Sequence, residues 1–115
     1  MRNQLTVNAA KGAGFKVIGW VFDDKLNQEI LQVENSRGTG RYFDPLNHMD
    51  HAIEVAMILN MSIKIDASQD RIIVSTDDLS QAGYYVSVKG NDELTNKRKG
   101  NVLRELITFL AADHS

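Results

Sequence analysis

The chain has 115 residues, 43% of them hydrophobic and 24% charged, with a formal net charge of −2 and no cysteine. This length holds a single domain, spanning residues 1–115, with one core, and the hydrophobic fraction excludes a largely disordered chain. The acidic balance argues against a general electrostatic grip on nucleic acid, and the missing cysteines exclude disulfides and thiolate-bound zinc.

Residues 3–11 read two ways. Asn3 suits a helix cap and Gly12 a helix end, with Leu5, Ala9 and Ala10 between them, while Thr6 and Val7 favour extended chain. A short helix is the preferred reading. The segment Met1–Val7 lacks the apolar core of a signal peptide, and the apolar run at 55–59 is too short to span a bilayer, so a cytoplasmic protein without membrane contact is expected.

Residues 15–22 form the clearest strand. Apolar side chains on both faces predict a central position, covered on two sides, with Trp20 in the core. A polar turn at 23–27 and a second strand at 29–33 complete a hairpin. Residues 35–42 read as a loop, closed by Asp44-Pro45. A helix is expected from about Asn47 to Asn60, with Asp50 placed as a capping carboxylate and Ala52, Ile53, Ala56, Met57 and Leu59 as its buried stripe.

Strands follow at 62–66, 71–75 and 84–88, joined by a turn at 67–70 and a polar connection at 76–82. A polar, charged loop is expected over 90–100, and Asn101 is the expected cap of a last helix carrying Val102, Leu103, Leu106, Ile107 and Leu110. The sum is an α+β fold in the order α-β-β-α-β-β-β-α. It consists of a mainly antiparallel five-stranded sheet with two main helices packed on it and a short N-terminal helix.

The run Tyr42-Phe43-Asp44-Pro45-Leu46-Asn47, then Asp50-His51-Ala52, a helix to Leu59 and the strand Ser62-Ile63-Lys64-Ile65 resembles the phage ABA sandwich domain family. The order of elements follows that family over residues 5–112, most specifically over 42–65. The resemblance implies a phage or prophage setting and a fold; it assigns no reaction.

Three constellations could carry chemistry. Asn47-His48-Met49-Asp50-His51 places two imidazoles and a carboxylate at helical spacing, as a divalent metal or a metal-dependent hydrolase would need. Only part of the usual ligand set is present, and the expectation is a capping Asp50 with solvated histidines and no metal. Ser36-Arg37-Gly38-Thr39-Gly40-Arg41 could cradle an anion such as a nucleotide phosphate between Arg37 and Arg41, but no Walker sequence follows it. Lys97-Arg98-Lys99 forms a basic cluster before the last helix. No serine lies in a nucleophile-elbow context.

The sequence therefore favours a non-enzymatic binding protein without a cofactor. Its expected partner is a protein, with a homodimer as a further form of association. Arg37, Arg41, His48, Lys97, Arg98 and Lys99 are the candidate contact residues. A small protein that sequesters a nucleotide or another anion is the alternative.

Overall fold

In a computed structural model of the chain, residues 2–66, 71–76, 82–86 and 92–114 are described, with Arg2 and 82–86 described by backbone alone. They form α1 (Arg2–Gly12), β1 (Lys16–Asp23), β2 (Gln28–Glu34), β3 (Gly40–Phe43), α2 (Met49–Ile58), β4 (Ser62–Asp66), β5 (Arg71–Ser75), β6 (Ala82–Val86) and α3 (Glu93–Asp113). The class is α+β, as expected. The strands do not make one sheet of five. They divide into two antiparallel sheets of three, β1-β2-β3 (sheet A) and β4-β5-β6 (sheet B). The expected turn at 67–70, the connection at 77–81 and the side chains of Tyr84 and Tyr85 lie outside the described residues.

Helix α1 forms as preferred, and Gly12 is its last residue. The chain reverses at Gly14, whose φ is +89°. The Phe15 amide reaches back to the Ala10 carbonyl at 2.9 Å and the Gly14 amide to Lys11 at 3.0 Å. This is a Schellman ending, in which a left-handed residue redirects the last amides onto orphan carbonyls. Helix α2 ends the same way. Asn60 takes φ +53°, and the Met61 amide bonds to the Ala56 carbonyl at 2.8 Å. Asparagine tolerates that conformation better than most residues.

The hairpin of β1 and β2 matches the reading of the sequence, but β1 is an edge strand, not a central one. Its register slips between Val17 and Gly19, where Ile18 is the extra residue of a bulge and Gly19 adopts φ +151°. Ile18, Val21 and Phe22 are exposed, and Trp20 is 39% exposed, so Trp20 is not a core residue. Alternation on both faces records where apolar side chains are, not whether anything covers them.

The loop expected at 35–42 contains β3, which pairs with β2 and sets Phe43 opposite Leu31. The turn before it is closed by Asn35, whose Oδ1 accepts from the amides of Arg37 (2.9 Å) and Thr39 (3.0 Å).

Helix α3 is the largest departure. It begins at Glu93, eight residues before the expected cap, with Asp92 as the actual N-cap accepting from the Thr95 amide at 2.7 Å. Residues 93–100, expected as loop, are two helical turns. Lys, Arg and Leu are good helix formers, and a single interior glycine, Gly100, costs only about 1 kcal/mol against them.

The core is shared by all layers. Helices α1 and α3 pack along each other; sheet A lies against α1, sheet B against α3, and α2 leans on α3. Ala9, Ala10, Phe15, Leu31, Val33, Phe43, Ala52, Val55, Ile72, Val74, Ile107 and Ala111 form one continuous buried cluster. The α1–α3 crossing is close: a Cβ on Gly12 would stand 1.7 Å from the Ala111 carbonyl oxygen.

Candidate functional site

The histidine segment lies where β3 hands over to α2. Pro45 and Leu46 are buried, and the Asp44 carbonyl accepts from the amides of Asn47 (3.3 Å) and His48 (3.0 Å), making a tight turn. The Asn47 amide nitrogen donates to both Asp44 carboxylate oxygens at 3.1 and 3.0 Å. From α3, the Arg104 Nε donates to the Leu46 carbonyl at 3.1 Å and ties this turn to the longest helix.

His48, not Asn47, is the N-cap residue of α2, with extended backbone and no side-chain cap bond. Asp50 sits in the first turn, exposed, where its charge meets the positive end of the helix.

His51 is buried, against the expectation of a solvated side chain. Its Nδ1 accepts from the Asp44 backbone N–H at 3.0 Å. The neutral ring therefore carries its proton on Nε2, which is 3.9 Å from Asp50 Oδ2. The ring stacks nearly parallel to Phe43 (8°, centroids 6.5 Å) and meets Tyr42 edge-on at 5.0 Å. Burial holds its pKa below the ordinary histidine value. Asp50 opposes that shift, and the charges of Arg41 and His48 add to it. His48, half-buried, lies 4.9 Å from His51 and 5.6 Å from Tyr42, centroid to centroid.

With Nδ1 committed to the backbone, His51 is a clamp between β3 and α2. Among the described residues, no three His, Cys, Asp or Glu side chains come together in a way that could hold a metal ion.

The other candidate residues are dispersed. Arg41 pairs with Glu54 of α2 and lies over the Phe15 ring, 5.8 Å from its centroid. Arg37 is exposed on the β2–β3 turn, where its amide, with those of Gly38 and Thr39, is already taken by Asn35. The amides that an anion cradle would use close the turn instead. Lys97 and Arg98 are exposed on the second turn of α3, and Lys99 is half-buried. They lie within the helix, not ahead of it.

A different surface was missed in the sequence. On β4, Ile63 and Ile65 stand opposite Val74 and Ile72 in the ladder and share their face. Val74 and Ile72 are buried, yet Ile63 is 39% and Ile65 62% exposed. The apolar face of sheet B thus runs one strand beyond what the chain's own helices cover. Beside it, α2 leaves Met57, expected in its buried stripe, 73% exposed and Ile58 44% exposed. Shallow grooves join Met49, Ile53, Met57, Ile58, Met61 and Ile63 into one apolar surface. The signal was present: Met49, Ile53 and Met57 repeat every fourth residue and make an apolar stripe beside the Ala52–Val55–Ala56 stripe, too wide an arc for one buried face.

Among the described residues, no helix is long and apolar enough to cross a membrane. The chain matches no protein-family model, no curated protein and no solved structure.

Proposed function

We propose that this chain is a non-enzymatic binding protein that acts by docking a protein partner on the surface formed by α2 and β4. The supporting observation is the register of β4. Ile63 and Ile65 belong to the buried face of sheet B by pairing, but are bare in the folded chain. An apolar face continuing past its cover marks an interaction site.

The occupant is an extended segment of the partner. Among the described residues β4 ends its sheet, which leaves one side of its backbone for a further strand. The groove over Ile53, Met57 and Met61 reaches Ile63 of β4 and offers apolar room for side chains of such a strand. Three methionines in the surface suit it to varied apolar side chains. The phage or prophage setting, in the cytoplasm of a bacterial host, rests on the resemblance of residues 42–65.

The test compares the parent with a Met57→Arg/Ile65→Arg variant. The expected result is a protein from host lysate held by the parent and lost by the variant, with amide exchange at residues 62–66 slowed in the complex. Equal retention by both proteins, or unchanged exchange on β4, refutes the reading. Light scattering after size exclusion supplies a second arm. A doubled mass for the parent and a single mass for the variant would mean that a second copy, not another protein, covers the face.

A further inference from the structure

A cavity of about 200 Å³ opens between the first turns of α1, the inner face of sheet A and the turn that precedes α2. Its wall includes Asn3 and Thr6 from α1, Trp20 from β1, Glu29 from β2, and Asp44 and Asn47 from the turn. The ladder explains the grouping. Trp20 stands opposite Leu31, so Trp20 shares a face with Leu31 and, by alternation, with Glu29. Trp20 shares this inner face, is 39% exposed and lines the cavity.

Among the described side chains, the charges on this wall are of one sign: Glu29 and Asp44 line it, and no Lys, Arg or His does. Among the described residues the Asp44 carboxylate accepts from the side-chain amide of Asn47, a neutral donor that does not cancel its charge. The amino end of α1 contributes about half a positive charge, roughly a quarter of what the two carboxylates carry. A half-enclosed space with excess negative charge and an indole surface favours a cation over an anion or a neutral ring.

We propose that this cavity binds an organic cation, an ammonium or guanidinium group seated on the Trp20 indole between the Glu29 and Asp44 carboxylates. Carboxylates supply charge-assisted acceptors, and the indole face attracts the cation through its quadrupole. The cavity's size suits a side-chain-sized group rather than a nucleotide. Two sources share this chemistry, a free amine and a Lys or Arg side chain of a protein. The site is separate from the α2–β4 surface and does not depend on that reading.

Trp20 is the only tryptophan, so its emission reports on the site directly. The full chain is titrated with agmatine, with the capped peptide acetyl-Gly-Arg-Gly-amide, and with neutral butylurea. Expected is a saturable change in emission with the cations and none with butylurea, and a dissociation constant raised about tenfold in Glu29→Gln. Glu29 is exposed, so this variant keeps the fold, which an unchanged melting temperature verifies. Asp44→Asn provides a second variant with the same expected direction. Tighter binding of the peptide identifies a protein side chain as the source; tighter binding of agmatine identifies a free amine. No saturable change, an equal response to butylurea, or a Glu29→Gln variant that titrates like the parent overturns the proposal.

Discussion

Gly12→Ala tests the packing of the two long-range helix partners more sharply than any core truncation. The added Cβ would stand 1.7 Å from the Ala111 carbonyl oxygen, 2.8 Å from its carbon and 3.2 Å from His114 Cβ. An ordinary C···O contact is about 3.3 Å, so the crossing of α1 and α3 would have to open by roughly 1.6 Å. The obstacle is backbone on a helix whose neighbouring residues, Leu110 and Ala111, are themselves buried, so no flexible side chain can swing aside. Overpacking of this kind costs about 1–3 kcal/mol, and the better helix propensity of alanine returns less than about 1 kcal/mol.

The net expectation is a loss of about 2 kcal/mol, read as a fall of roughly 8 °C in melting temperature by calorimetry or circular dichroism. Gly100→Ala is the matched control. It is the same change inside α3, where the new Cβ meets only Arg104 Nη1 at 3.5 Å and Met49 Cε at 3.6 Å. With space available, the propensity gain stands alone, and Gly100→Ala should stabilise by about 0.5–1 kcal/mol. If both variants shift the melting temperature upward, or if Gly12→Ala leaves it unmoved, the close α1–α3 crossing is wrong.

Further predictions concern the clamp, the cap and the exposed face. His51 is neutral when folded because its pKa is held below the ordinary value of 6.5. Stability is therefore fully present above about pH 6.5 and declines as pH falls through the lowered folded value, since the unfolded chain binds the proton more readily. Protonation also turns Nδ1 into a donor and breaks its bond from the Asp44 amide. His51→Gln should flatten the drop in melting temperature between pH 7.5 and 5 relative to the parent, and an unchanged slope would count against the clamp. Asp92→Ala removes the N-cap of α3 and should speed hydrogen exchange at the Thr95 amide while leaving the amides near Ile107 protected. Phe43→Ala should cost about 3–5 kcal/mol in urea unfolding, because Phe43 is buried against Phe15 and Leu31, while Met57→Ser on the bare face should stay within about 0.5 kcal/mol of the parent.

Residue type marks arginine and histidine as candidate contacts, but type does not report engagement. Arg41 looked like an anion clamp, but it holds Glu54 and covers Phe15. His51 looked solvated because histidine is usually near the surface, but the Asp44 amide gave its Nδ1 a partner, and that satisfied bond allows burial. Trp20 looked like core, but it borders a cavity. In each case the deciding contact lies on another element, seven or more residues away along the chain.

By itself the sequence carried the local chemistry: a preferred helix over 3–11, a helix from about Asn47 that Asn60 stops, and strands at 15–22 and 29–33 joined by a turn at 23–27, all of which the fold places within a residue or two. Those features rest on propensities, alternation and caps, which act over a few residues. Only the tertiary structure decided that six strands split into two sheets, that Gly40–Phe43 is a strand and that α3 starts at Asp92–Glu93. It alone left Ile63 and Ile65 uncovered while burying their ladder partners. The physical reason is that burial belongs to pairs of distant surfaces. A side chain's pattern says which face it occupies, and only the packing of other elements says whether that face meets protein or solvent.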